Sequence, residues 1–169
     1  FVMIGTALFK LTVQFSGPFF LPYMTNELHL SLTEFVILFS LPQLGRAIFF
    51  HHWARMAKST RSFWGVQLSC FYISIIPLIW IAIQNYSLLC LTEIVAGIFW
   101  GGFEMNTTLM VQNFIHRNSR KLLGIHMAMQ NILGVAGALI GSYLLNKGLS
   151  YFDVFAYSAI ARLLVAISM

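Results

Sequence analysis

Long apolar stretches separated by short polar segments run through the whole chain. They lie at about residues 1–24, 32–53, 62–83, 87–113, 120–145 and 151–169. A helix needs about 20 apolar residues to cross a bilayer, so each stretch is about long enough for one crossing. The pattern predicts an all-α polytopic membrane protein, with six transmembrane helices in one bundle and one domain over residues 1–169.

The composition indicates that lipid is the main solvent of this chain. Hydrophobic residues make up 59% of the 169 residues and charged residues 9%, whereas soluble domains carry about 45–50% and about 25%. So few charged groups cannot cover the surface of a water-soluble protein of this size. The lipid bilayer is therefore the first expected partner.

The basic residues of the connections predict the topology. Six of them lie in the second and fourth connections, namely Arg55, Lys58, Arg61, Arg117, Arg120 and Lys121. The other connections contain only Lys147. This positive-inside bias predicts that the second and fourth connections and both ends of the chain are cytoplasmic. Because Phe1 is not preceded by a leader sequence, we also expect a piece of a longer chain.

Several local patterns predict how the helices begin, bend and pack. The segment Ser31-Leu32-Thr33-Glu34 is typical of a capping box, so the second helix should begin at Leu32. Residues 15–19 (FSGPF) resemble residues 99–103 (FWGGF), which favours a 3+3 inverted repeat. A stripe of small residues in the fifth span predicts close helix packing. It consists of Gly134, Gly137, Ala138 and Gly141.

Five ionisable side chains fall inside the predicted spans. They are Lys10, Arg46, Glu93, Glu104 and Arg162. Each charge near the bilayer centre costs about 2.5–3.5 kcal/mol and therefore needs a partner or a water-filled cavity. The predicted topology places Lys10, Arg46 and Glu104 in the inner half of the membrane, where they can meet.

Helical spacing extends this set to a candidate solute or ion path. Gln14 lies one turn from Lys10, and Trp100 shares a face with Glu93 and Glu104. Uncharged polar groups near the middle of the fifth span add hydrogen-bonding capacity. The predicted path is Lys10, Gln14, Arg46, Glu93, Trp100, Glu104, Gln130 and Asn131. The alternatives are structural ion pairs and, for Arg46 and Arg162, long side chains that reach the interface.

Other classes of function lack their usual motifs. The five histidines form no HExxH or HxxxH pattern, and there is no GxSxG or phosphate-binding loop, so we expect no metal, no cofactor and no enzyme activity. Cys70 and Cys90 both lie in apolar runs. The net charge of +5 is distributed between apolar segments, which argues against a nucleic-acid partner.

Four segments resemble the second six-helix half of a bacterial major facilitator superfamily transporter. They read GPFFLPYM, RAIFFHHWARMAKSTRSFWG, PLIW and AGIFWGGFEMN. The family's loop between the second and third helices has a Gly-x-Leu-Ala-Asp-Arg-x-Gly-Arg type motif. Arg55 and Ala57 fit this pattern, whereas Ala54 replaces its glycine and Lys58 its aspartate. The loop motif residues are taken as Arg55, Ala57, Lys58 and Arg61.

The resemblance implies a secondary active transporter that moves a small solute by alternating access. It implies a twelve-helix protein in the bacterial plasma membrane, with another six-helix half as a partner and coupling to a proton or cation left open. The first, second, fourth and fifth segments would line a central cavity, and the third and sixth would be peripheral. In the family, the acidic residue of this loop is implied to pair with neighbouring helix ends and so to hold one access state. Lys58 stands at that position here, so the resemblance does not extend to this interaction.

Two other functions remain open at this point. A membrane scaffold or assembly subunit would pair its interior polar residues among themselves and leave no cavity. An intramembrane enzyme would bring histidines or carboxylates together at one point. The side chains on the concave face of the bundle should distinguish the three.

Overall fold

A computed structural model describes residues 2–57, 62–113 and 119–169, and these are helical almost throughout. The elements are α1 (Val2–Ser16), a 3-10 turn (Gly17–Phe19), α2 (Phe20–Asn26), α3 (Leu32–Ala57), α4 (Ser62–Ala82), α5 (Tyr86–Asn113), α6 (Ser119–Asn146) and α7 (Tyr151–Ser168). The described ranges contain no β-strand. The predicted all-α class is confirmed.

Five of the described helices, α3 to α7, are long and apolar enough to cross a membrane. They occupy the second to sixth predicted spans, with ends within a few residues of those expected. The first predicted span is different, because it is divided into α1, the 3-10 turn and α2. Pro18 lies in that turn and has no N–H to continue the α-helical ladder. Six uninterrupted crossings are therefore not confirmed.

The predicted capping box at the start of α3 is confirmed. The Ser31 N–H donates to Glu34 Oε2 at 2.8 Å, and the Glu34 N–H donates to Ser31 Oγ at 3.3 Å. The sequence analysis missed a second box of the same kind, in which Ser150 and Asp153 begin α7. These reciprocal bonds satisfy backbone donors that the first helical turn leaves free.

Packing between the helices follows a two-fold pattern. Helix α3 packs on α5 as α6 packs on α1, and α4 packs on α5 as α7 packs on α1. Helices α4 and α7 pack on each other. The most extensive contacts between the first three-span unit, α1 to α4, and the second unit, α5 to α7, thus occur in equivalent pairs. This agrees with the predicted 3+3 repeat.

Glycines create the close crossing between α1 and α6. A Cβ on Gly137 would overlap the Leu11 carbonyl oxygen, and one on Gly141 would overlap the Phe15 carbonyl oxygen. The predicted stripe of small residues therefore does permit a close helix approach.

The equivalent crossing of α3 and α5 also depends on glycine. A Cβ on Gly45 would overlap the Ile94 carbonyl oxygen, and one on Gly97 would overlap the Pro42 carbonyl oxygen. This second close approach determines where the polar residues of α3 meet those of α5.

The rest of the molecule divides into an aromatic core and an apolar outer surface. Phe20 stacks on Phe155 with ring centroids 4.5 Å apart and meets Trp80 edge-on at 5.4 Å, so α2 is held against α4 and α7. On the outer surface, Leu139 and Leu164 are among many large apolar side chains that are exposed. Such a surface suits acyl chains and not water.

Candidate functional site

A cavity of about 320 Å³ lies between α1, α3 and α5. Six of the eight predicted path residues line it, namely Lys10, Gln14, Arg46, Glu93, Trp100 and Glu104. Helices α4 and α7 also contribute Ile76, Trp80 and Arg162, although the resemblance implied that the third and sixth segments are peripheral. Helix α6 contributes nothing to this cavity.

An ion pair joins α3 and α5 at the cavity. Arg46 Nη1 donates to Glu104 Oε2 at 2.9 Å, with 33% and 50% of the side chains exposed. The glycine crossing explains the meeting, because a Cβ on Gly101 would lie only 3.6 Å from the Arg46 Cα. Arg46 Nε is buried and has no hydrogen-bond partner among the described residues.

Lys10 enters the same cavity from α1. Its Nζ lies 5.4 Å from the centre of the Trp100 ring, which is the geometry of a cation–π contact. Within the described ranges, the only ion pair is that of Arg46 with Glu104, so Lys10 has no carboxylate partner there. Its charge therefore faces the aromatic ring and the hollow of the cavity.

Glu93 is bound at another part of the cavity wall. Trp80 Nε1 donates to Glu93 Oε1 at 2.8 Å, linking α4 to α5. Glu93 precedes Glu104 by three helical turns, which explains how one cavity receives both carboxylates and Trp100 between them.

Arg162 occupies a position that the sequence did not reveal. It is only 2% exposed, so it does not reach the membrane interface. It donates to neutral oxygens of three helices, namely Ser158 Oγ at 3.1 Å, Ile73 O at 2.9 Å, Val13 O at 3.1 Å and Ser16 Oγ at 2.7 Å. Ser158 lies one turn away, but the other partners are distant in sequence and gave no local signal.

Two further cavities adjoin the first. One of about 500 Å³ lies between α3 and α5 and is lined by Arg46, Trp53 and Glu104 among others. The other, of about 330 Å³, is lined by residues of α1, α5 and α6, including Lys10 and Glu104. Glu104 is the one residue that lines all three of these cavities.

The polar residues of α6 are divided between two environments. Gln130 lines the 330 Å³ cavity, and its Nε2 lies 3.0 Å from His126 Nε2. His126 is buried, although the sequence suggested no role for it. Asn131 is exposed and lines none of the three cavities.

The loop motif is described only in part. Arg55 is exposed in the last turn of α3, which ends at Ala57. Lys58 and Arg61 lie outside the described residues, as does Arg117 of the fourth connection. Within the ranges 2–57, 62–113 and 119–169, no three His, Cys, Asp or Glu side chains are grouped so that they could hold a metal ion.

Comparison with known proteins identifies the family. The family model described as Major Facilitator Superfamily matches residues 2–169. Neither the curated proteins nor the solved structures that were searched contain a match. The family match covers nearly the whole chain, and the apolar helices agree with a multi-pass membrane protein. The chain therefore belongs to the major facilitator superfamily of transporters.

Proposed function

We propose that this chain is one half of a twelve-helix secondary active transporter and that it moves a small solute by alternating access. The bundle would move against another six-helix unit around the face that carries Glu104. The proposed path consists of Lys10, Gln14, Arg46, Glu93, Trp100, Glu104 and Gln130. Asn131, which lines none of the three cavities, stays a prediction from the sequence as a member of this path.

One observation carries this proposal. Lys10, Arg46 and Glu104 come from three different helices and line one cavity, instead of pointing toward the apolar outer surface. A charge inside a membrane is stable only beside a partner or in a water-filled space. A shared polar hollow therefore accounts for all three charges at once, and a hollow at mid-helix depth is what a translocated solute needs.

The scaffold alternative fits these contacts less well. It requires the interior polar groups to be paired and the bundle to be closed. Three cavities meet at Glu104, and buried atoms such as Arg46 Nε and Thr107 Oγ1 have no partner in the described part of the chain. Open cavities and unpaired buried polar atoms are not what a closed, fully paired scaffold would show.

The orientation and the coupling are part of the same proposal. The second and fourth connections and both chain ends would be cytoplasmic, in the plasma membrane of a bacterium. Glu104 and Glu93 are the proposed sites for a proton or a coupling cation, because they are the two carboxylates of the 320 Å³ cavity. The counter-charges would be Lys10 and Arg46.

Cysteine labelling tests the path without knowledge of the solute. In the full-length transporter, Cys70 and Cys90 are replaced by Ala, and a single cysteine is introduced as Gln14→Cys in the cavity or Leu139→Cys on the outer surface. Membrane-impermeant maleimide is applied to inside-out and right-side-out vesicles. We expect labelling of Gln14→Cys from both sides, because alternating access opens the cavity to each. Leu139→Cys should stay unlabelled, since the reactive thiolate does not form in lipid.

Two further single cysteines identify the sides of the membrane. Arg55→Cys should react only in inside-out vesicles and Lys147→Cys only in right-side-out vesicles. Gln14→Cys that is inert from both sides, or that reacts no faster than Leu139→Cys, would contradict the proposed path. Labelling of Arg55→Cys from outside would overturn the orientation.

A further inference from the structure

The charges around the Glu104 ion pair do not balance. Three cations, Lys10, Arg46 and Arg162, line the cavity together with two carboxylates, Glu93 and Glu104. The Glu104 carboxylate is bonded to Arg46, whereas the Lys10 ammonium lies over the Trp100 ring and forms no ion pair with a carboxylate of the described residues. The Glu93 carboxylate accepts from the Trp80 indole on α4, which is a neutral donor, so Glu93 still counts as an acidic group of the cavity. The lining of the cavity therefore has one positive charge more than its acidic groups neutralise.

Hydrogen-bond donors are in excess at the same place. The Lys10 ammonium group has no acceptor among the described residues, and the buried Nε of Arg46 has none either. Arg162 adds positive charge to the cavity wall, but its bonds to Ser158, Ile73, Val13 and Ser16 engage all of its nitrogens. The Lys10 ammonium group is thus the free donor that a solute in the cavity can reach, and the described residues give it no acceptor.

Apart from these charged side chains and Gln14, the wall of the cavity is largely apolar. It includes Val13, Phe20, Met24, Ile76, Ala96 and Trp100. The volume of about 320 Å³ is at the small end of ligand sites in proteins. A solute that fits is therefore small, with a charged end at Lys10 and a largely apolar body.

We propose that the solute is a small organic monoanion whose anionic group is bound by Lys10 and Arg46 and whose apolar body packs against Trp100. This inference rests on the proposed function and names its substrate class. One negative charge neutralises the excess cation, its oxygens accept from the Lys10 ammonium group, and the partly exposed Arg46 guanidinium attracts it across the cavity. Charge-assisted bonds of this kind are about twice as strong as neutral ones, so the charge selects the solute.

An isosteric charge series tests the proposal on the wild-type, full-length transporter. Benzoate, benzamide and benzamidine have nearly the same shape and are an anion, a neutral molecule and a cation. Acetate, butyrate and hexanoate test the apolar body at constant charge. Each is added at matched ionic strength, and the melting temperature of the detergent-purified protein is recorded. We expect stabilisation by benzoate and by the longer carboxylates, and none by benzamide or benzamidine.

Substitutions of lysine locate the site. Lys10→Met should weaken benzoate binding by about tenfold or more, which corresponds to one lost charge-assisted bond. Lys10→Arg should retain binding, since the charge remains. Lys147→Met is the matched control, because Lys147 also lies over an aromatic ring, that of Tyr143, at 5.5 Å, but lines none of the three cavities. It should bind benzoate as the wild type does.

The outcomes separate this inference from the proposed function. Stabilisation by benzamide or benzamidine equal to that by benzoate, stabilisation by none of the carboxylates, or unchanged binding in Lys10→Met would each overturn the monoanion proposal. If Gln14→Cys is still labelled from both sides in those cases, only the substrate class has failed. If Gln14→Cys is inert as well, the proposed path has failed with it.

Discussion

Arg162 Nη2 in α7 donates a 2.7 Å hydrogen bond to Ser16 Oγ, on the last residue of α1. The same nitrogen donates to the carbonyl oxygen of Val13, one of the last four carbonyls of that helix. The carbonyls of the last helical turn carry the negative end of the helix dipole. A buried guanidinium that bonds no carboxylate of the described residues is therefore compensated by the end of a helix, next to the turn at Pro18 that ends it.

We expect Arg162→Lys to destabilise the bundle although the charge is conserved. A lysine cannot reach acceptors on three helices at once, so at least two buried oxygens lose their donor. The expected loss is about 2–4 kcal/mol in the free energy of unfolding. Thermal melting of the purified transporter measures it. Arg55→Lys, at an exposed site, should change stability by less than about 0.5 kcal/mol. Equal effects of the two substitutions would show that the network is not needed.

Alanine substitutions on α6 should have opposite effects at two glycines. Gly137→Ala places a Cβ against the Leu11 backbone and should cost about 1–3 kcal/mol, because the two helices must separate. Gly124→Ala meets no atom within 4 Å and should be neutral or stabilising by up to about 1 kcal/mol, since alanine favours the helix. Melting curves of both purified variants measure these two changes in stability. A tolerated Gly137→Ala would exclude the close crossing of α1 and α6.

Glu104→Gln should separate function from stability. Its carboxylate and Arg46 are both a third or more exposed, so their pairing contributes less than about 1 kcal/mol. Uptake into proteoliposomes, measured with a solute that stabilises the purified protein, should nevertheless fall by about tenfold or more, because a charged group of the path is lost. A melting temperature that falls with unchanged uptake would assign Glu104 a structural role only.

Two substitutions of Glu93 distinguish its acceptor atom from its charge. Glu93→Gln keeps a carbonyl oxygen for the Trp80 indole N–H, so stability should change by less than about 1 kcal/mol. Glu93→Leu leaves this N–H without an acceptor, although the Trp80 side chain is only 1% exposed and water cannot replace the bond. The substitution should therefore cost about 1–3 kcal/mol in the free energy of unfolding. Combining Glu93→Leu with Trp80→Phe should recover part of the loss in a double-mutant cycle. No recovery would mean that the bond contributes nothing to stability.

Local rules account for what was predictable from the sequence alone. In lipid, backbone groups must bond within their own helix, so an apolar run of sufficient length is enough to predict α3 to α7. The capping box at Ser31 depends on four consecutive residues. Helical spacing alone placed Glu93, Trp100 and Glu104 on one face of α5. The glycine stripe on α6 needed only its own spacing to predict a close neighbour.

Tertiary structure decided which residue each polar group meets. Arg46 and Glu104 are 58 positions apart, and they pair because the glycine crossing of α3 and α5 brings their backbones close. In the part of the chain that the structure describes, Arg162 bonds the end of α1 and not a carboxylate, and α1 ends at the break around Pro18. Periodicity assigns a side chain to a face of its own helix. Its partner depends on how two helices cross, and that is determined by the packing of the whole bundle.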